Sequence, residues 1–187
     1  IAPRSGLLRV REFTMAEIEY FVDPTNKSHK KFHTIKDLKI PLWSAHNQQN
    51  HLGVITDMTM EQAVNDKVIS NETLAYFVAR TYLFLRGIGI REDGIRFRQH
   101  TSKEMAHYAE DCWDAEVETS YGWIEVAGHA DRTCYDLGHH MEVSGVELVA
   151  SRQLKTPVIK QMIRMTVNKG VIFKQLTDKA KAKALIE

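Results

Sequence analysis

Arg9, Arg11 and Phe13 alternate with Val10 and Glu12, so in an extended segment they share one face, and Glu17 and Glu19 continue it. Val10, Ala16, Ile18, Tyr20 and Val22 fall on the other, because strand side chains alternate with period 2. A guanidinium can hold a phosphate bidentately, and an aromatic ring two residues on can stack a base. The ordinary alternative is cross-strand ion pairing of these arginines with Glu17 or Glu19. Glu17 lies about 26 Å from Arg9 along a fully extended strand, so one small ligand cannot bridge them. A nucleotide laid along the strand, with a small cationic partner at its end, comes closer. A carboxylate such as Glu17 is the right partner for an ammonium group.

A second group of residues surrounds Glu125, which follows Tyr121-Gly122-Trp123-Ile124 and precedes Gly128. A carboxylate among large apolar neighbours needs a partner if buried, either an arginine or a divalent cation carried by phosphate. Asp114 and Glu116 are weaker candidates for the same negative field. Asp131-Arg132 reads first as an internal ion pair, but its place just after Glu125 keeps Arg132 as a candidate phosphate contact.

Other chemistries find no support in the spacing. There are nine histidines and two cysteines. Glu104-Met105-Ala106-His107 is not a His-x-x-x-His site, no C-x-x-C occurs, and the adjacent His139 and His140 would point to opposite faces of a strand. Neither Cys112 nor Cys134 has a base at a telling spacing. Neither G-x-G-x-x-G nor G-x-x-x-x-G-K-[ST] is present.

These residues need elements to position them. Residues 1–8 read as a turn around Arg4, Ser5 and Gly6, and residues 9–22 as a strand ended by Asp23-Pro24. Residues 34–58 alternate weakly and suggest short strands around an exposed loop at His46 to His51. Thr59-Met60-Glu61-Gln62 has the spacing of a capping box, predicting a short helix through Val68. Ser70 or Asn71 opens a longer helix in which Leu74, Phe77, Val78, Thr81, Tyr82 and Leu85 form one mainly apolar stripe, stopped by Gly87 and Gly89. Ile95 to His100 reads as a strand, and Tyr108–Val117 with Tyr121–Ala127 as an antiparallel hairpin. Trp113, Ala115 and Val117 share one face of the hairpin, and Asp114 and Glu116 the other. Ala130 to Leu137 is a candidate helix, HHMEVS between Gly138 and Gly145 a turn and edge strand, and 177–187 a helix favoured by Ala and Lys.

The bulk numbers permit one core with a smaller appended unit. The chain has 187 residues, 43% of them hydrophobic and 26% charged, with net charge +1. Residues 151–187 carry nine Lys and Arg against two Asp and Glu, about +7, whereas the first 150 are net acidic. The basic end reads as a solvated helix end, with nucleic acid as the alternative. Two cysteines give no disulfide framework, and no apolar run approaches a membrane span.

Several long segments resemble one family. Pro3 to Phe13 and Ala16 to Pro24 closely resemble the second signature motif of eukaryotic-type glycyl-tRNA synthetases, which are class II aminoacyl-tRNA synthetases. The resemblance continues in Phe97-Arg98-Gln99-His100, Glu104 to Ala109, Asp111-Cys112-Trp113-Asp114 and Tyr121 to Glu125, and ends with Gly128, Ala130-Asp131-Arg132 and Tyr135-Asp136-Leu137. It covers about the first 150 residues.

The resemblance implies an α+β fold, part of the class II antiparallel sheet with helices and inserted segments. The implied divisions are 1–24 (the motif 2 loop and second strand), 25–92 (an insertion or helical lobe), 93–141 (core strands and helix) and 142–187 (a basic insertion-like segment). It implies that Arg9 binds ATP phosphate, Val10 lies along the nucleotide, Phe13 stacks on adenine and Glu17 holds the glycine ammonium. Glu125, with Val126 beside it, would meet ATP or its Mg²⁺, and Arg132 would support the pocket. The implied reaction joins glycine to ATP as glycyl-adenylate with loss of pyrophosphate, then passes glycine to the terminal ribose of tRNA(Gly). A small pocket closed by carboxylates would exclude side chains. The implied parent is a homodimer, cytoplasmic with a mitochondrial isoform possible.

The family's Phe-Arg-Asn-Glu, first and third motifs and anticodon-binding domain have no counterpart in these 187 residues. The chain therefore reads as an internal fragment, expected to be inactive alone. The alternative is a non-catalytic tRNA- or protein-binding derivative.

Overall fold

A computed structural model of the protein describes residues 6, 8–151, 153, 156–162, 168–176 and 178–184. The turn expected at Arg4-Ser5 lies outside them. The described residues fall into two units, 1–148 and 149–187.

The first unit is built on a four-stranded sheet in the order β1 (Leu42–Trp43), β2 (Ile95–Gln99), β3 (Asp111–Thr119), β4 (Gly122–Asp131). β2, β3 and β4 are antiparallel, but β1 runs parallel to β2, so the sheet is mixed rather than wholly antiparallel. The fold is α+β. β3 and β4 form the expected hairpin, with β4 reaching four residues beyond the expected end.

One face of this sheet is the core. The main helix α3 (Glu72–Gly87) lays Leu74, Ala75, Val78, Ala79, Tyr82 and Leu85 against Ile95, Phe97, Trp113 and Ala115. Burial of each large side chain stabilises the fold by about 1.5–3 kcal/mol. Asn71 caps α3 by accepting from the Leu74 N–H at 3.0 Å. Phe77 and Thr81, on the expected stripe, do other work: Thr81 meets His129 of β4 at 2.7 Å, and Phe77 meets Tyr20. The same core takes in Phe32, Ile35, Ile40, Met60, Ala63 and Ile69, so residues 25–92 share one hydrophobic interior with β2 and β3.

The capping box forms as spacing predicts. Thr59 and Gln62 exchange both bonds at the start of α2 (Met60–Asn65). The loop expected at His46 to His51 is instead mostly helix α1 (Ala45–Gln49), because Ser44 accepts from the Asn47 N–H and caps it. Tyr135–Ser144 forms helix α4: Tyr135 to Leu137 are helical as expected, but the helix continues through the stretch expected as a turn and edge strand. Gly138 lies inside it, and Gly145 ends it in the left-handed region (φ 67°), where a glycine closes a helix without strain. Ala130 and Asp131 belong to β4 rather than to a helix.

The largest departure is at 9–22. Val10 to Val22 forms no strand: Arg11 and Glu12 lie in a bend, and no ladder partner exists among the described residues. Alternation supplies two faces, but a strand also requires a neighbour for its N–H and C=O groups. The segment is an exposed strap, with Phe13, Met15, Ile18 and Phe21 all largely in solvent.

In the second unit, α5 (Lys169–Gln175) starts at Asn168, whose side chain accepts from the Val171 N–H. α6 (Lys179–Ala184) is the expected Lys/Ala helix, although residues 177 and 185–187 lie outside the described set.

Candidate functional site

The sheet face opposite the core is polar. Residues directly across a ladder share a face. Arg96 lies opposite Glu116, Arg98 opposite Asp114, Asp114 opposite Gly128, and Glu116 opposite Glu125. Two arginines thus face two buried carboxylates in the middle of the sheet, while Glu125 sits at its exposed margin.

Arg96 Nε donates to Glu116 Oε2 at 2.6 Å. Its guanidinium carbon lies 4.4 Å from the Trp43 ring centroid and 4.2 Å from that of Trp123, held between two indoles. Arg98 reaches three carboxylates: Glu104 at 3.0 Å, Glu116 at 3.3 Å and Asp114 at 3.4 Å. Burial works against its charge, but Glu104, Glu116 and Asp114 more than offset this and raise its pKa. Glu104 accepts from the Thr101 N–H and hydroxyl as well as from Arg98, which holds its carboxyl at about 2. His100 Nε2 lies 2.9 Å from Asp114 and donates to its carboxylate, and the buried Nδ1 has no partner among the described residues.

The ladder slips between Ala115 and Glu116: Ala115 pairs with Ala127 and Glu116 with Glu125, so Val126 is the extra residue of a β-bulge. Glu125 therefore points onto the polar face beside Glu116, whose charge two arginines already balance. A Cβ on Gly128 would lie 3.8 Å from Glu125 Oε1 and 3.9 Å from Asp114 Oδ1, so the bare glycine leaves a gap between two carboxylates. Glu125 is exposed, so the need for a partner that burial would impose does not arise.

Arg9 and Glu125 are brought together: Arg9 Nη2 donates to the Glu125 carbonyl at 3.3 Å. Val10, Phe13 and Glu17 stay on the exposed strap, and Glu17 has no hydrogen bond or ion pair among the described residues. Arg132 does not pair with Asp131. It makes two bonds to Asp136, at 2.7 and 3.0 Å, and lies 3.9 Å over the Tyr108 ring. Asp136 is the main cause of its raised pKa, with Tyr108 and Glu19 adding to it. Asp131 instead takes Lys27 at 2.7 Å and Asn71 at 2.8 Å, and its pKa is lowered because these partners outweigh its burial.

Among the described residues, no three His, Cys, Asp or Glu side chains gather to hold a metal. The exposed Glu125 carboxylate fits a cation only as one ligand of several, the others coming from phosphate. The arginine pairs of the polar face were not singled out from the sequence, although Asp114 and Glu116 were. Their signal is I-R-F-R-Q aligned antiparallel to D-C-W-D-A-E-V, which becomes legible once the hairpin register is known.

A mixed sheet with one apolar face on a helix and one face of paired arginines and carboxylates defines an α+β domain with a charged sheet face. No family model matches the chain. The chain is 51% identical over 181 residues to a glycine–tRNA ligase of Drosophila melanogaster, an alignment covering 97% of this chain and 24% of the relative. It is 50% identical over 182 residues to glycine–tRNA ligase 2 of Saccharomyces cerevisiae, 97% of this chain and 29% of the relative. It is 52% identical over 158 residues to the mitochondrial glycine–tRNA ligase 1 of the same yeast, 84% of this chain and 23% of the relative. Along nearly its whole length, then, the chain is homologous to the glycine–tRNA ligases, and it spans between about a quarter and a third of the length of these relatives.

Proposed function

We propose that the chain is a catalytic-core segment of an ATP-dependent glycine–tRNA ligase. The observation that carries this reading is the identity of about half the residues over 97% of the chain with relatives bearing that name. The polar sheet face and the Arg9–Glu125 approach support it physically.

In this reading Arg9 holds an ATP phosphate and Val10 lies along the nucleotide. Phe13 offers its 60% exposed ring to adenine. Glu17 holds the glycine ammonium, orienting the glycine carboxylate toward the α-phosphate. Glu125 and the bulged Val126 border the phosphates, and Arg132 supports them after exchanging Asp136 for phosphate. Mg²⁺ would enter on the phosphates and supply charge compensation, with Glu125 as its protein ligand. Fixed positive charge at the phosphates favours the transition state because it needs no reorganisation as charge develops. No covalent enzyme intermediate is needed. The glycyl group would pass to the 3′ end of tRNA(Gly) in a homodimeric parent, in the cytosol or the mitochondrion.

The test is glycine-dependent exchange between ATP and pyrophosphate, run on the full reading frame around Ile1 and on the 187-residue chain. The full frame is expected to exchange with glycine and not with alanine, and the chain alone to be silent. A full frame that does not respond to glycine overturns the reading. Exchange by the chain alone overturns the expectation that it is incomplete.

A further inference from the structure

Trp43 and Trp123 belong to β1 and β4, the first and last strands in the sheet order. Their rings nonetheless meet at one guanidinium. Trp43 pairs with Arg98 and Trp123 with Glu118, so both indoles rise from the polar face. Arg96 of β2 lies between them, 4.4 Å from one ring centroid and 4.2 Å from the other.

The partners of this cation are themselves held. The Trp43 Nε1–H donates to the Leu52 carbonyl at 3.2 Å. The two Glu116 oxygens take different arginines, Oε2 from Arg96 at 2.6 Å and Oε1 from Arg98 at 3.3 Å. The Arg96 and Glu116 side chains are only 17 and 11% exposed. A flat cation is thus fixed at its edge by a carboxylate and on its faces by rings.

This clamp lies next to the weak point of the ladder. β4 bulges at Val126, and a one-residue slip there would turn Glu125 away from the polar face. Trp123 precedes Glu125 by two residues and so shares its face. A ring gripped at Trp123 pins the alternation of side chains just before the bulge. The same guanidinium helps balance Glu116, which lies directly across the ladder from Glu125.

We propose that Arg96 is a positioning residue, held between Trp43 and Trp123, that fixes the orientation of Glu125 on the polar face. The part Glu125 plays in catalysis rests on the reading under Proposed function; the clamp does not. The stack needs a planar, delocalised cation. Lysine, which keeps the charge and loses the planar stack, is therefore the informative replacement.

Two measurements test this. Labelling the 187-residue chain with 5-fluorotryptophan gives one fluorine resonance for each of its three tryptophans. Trp113, fully buried in the core, reports on the fold itself. Arg96→Lys is expected to shift the Trp43 and Trp123 resonances and leave that of Trp113 in place. Trp43→Phe keeps a ring on the guanidinium and should leave Trp123 near its parent position, whereas Trp43→Leu should move it. A Trp123 resonance unmoved in Arg96→Lys, or a Trp113 resonance displaced as far, overturns the clamp. The second measurement is glycine-dependent exchange between ATP and pyrophosphate by the full reading frame, run as a double-mutant cycle. At limiting ATP, Arg96→Lys should lower exchange about tenfold in the parent and less than about twofold in a Glu125→Gln background, where no carboxylate remains to be positioned. Equal losses in the two backgrounds overturn the positioning role. A parent frame that is silent with glycine counts against the reading under Proposed function instead, and the fluorine resonances still decide the clamp.

Discussion

Arg98 balances three carboxylates at once, two of them on side chains only 11% exposed. Removing the guanidinium leaves Asp114 and Glu116 buried with reduced compensation, and the penalty for an unpaired buried charge is several kcal/mol. Arg98→Ala is expected to lower unfolding stability by about 3 kcal/mol, read as a shift in urea midpoint at constant slope. A change within about 0.5 kcal/mol would mean that the pairs are worth no more than surface ones. Glu104 gives a prediction in pH. Its carboxyl, lowered to about 2 first by the Thr101 N–H and then by the Thr101 hydroxyl and Arg98, is protonated more readily in the unfolded chain, where its ordinary value is 4.5. Its stabilisation is therefore complete above 4.5 and lost as pH falls through about 2. Glu104 is 45% exposed, so solvent screening limits the effect to about 1 kcal/mol. Glu104→Gln should be less stable than the parent by that amount at neutral pH. The gap should close toward pH 2; a gap of constant size across the titration would contradict the assignment.

At the scale of elements, α3 joins the core to the polar network. Asn71 both caps the helix and donates to Asp131, so Asn71→Ala is expected to cost about 2 kcal/mol, the upper end for a cap, with Asn71→Asp recovering the capping part only. A loss of a few tenths in chemical denaturation would show that neither bond matters. The capping box, the α3 stripe and the β3–β4 hairpin were legible because each rests on neighbours a few residues apart. What could not be read locally depends on distant partners. The weak alternation of 34–58 suggests short strands without saying where, and pairing with Phe97 and Arg98 fixes β1 at Leu42–Trp43. Arg9 to Val22 has a strand pattern and no ladder among the described residues. The two histidines of α4 lie between glycines that suggest turns, but Gly138 is accommodated inside the helix and Gly145 alone stops it. At the site, the sequence named Arg9 and Glu125, and the fold joins them. It named Asp114 and Glu116 as weak candidates without their arginines, because the register that pairs them is a property of the folded sheet. It paired Arg132 with its sequence neighbour, whereas chain direction at the end of β4 turns Arg132 toward Asp136 instead.

At the scale of the whole molecule, the acidic first 150 residues carry the polar sheet face and the basic 151–187 form a separate unit of short helices. The excess positive charge of residues 151–187 is the kind that attracts a polyanion, and such binding would weaken as salt rises. The chain's span is at most about a third of the curated relatives described above. The central proposal divides the work between two residues of the exposed 9–22 segment, Glu17 serving glycine and Arg9, which meets β4, serving ATP. Steady-state exchange kinetics on the full reading frame tests it most directly. Glu17→Gln should raise the glycine KM about tenfold or more, the loss of one charge-assisted contact, with the ATP KM nearly unchanged, and Arg9→Ala should do the reverse. An unchanged glycine KM in Glu17→Gln, or the same shift in both substrates for both variants, would contradict it.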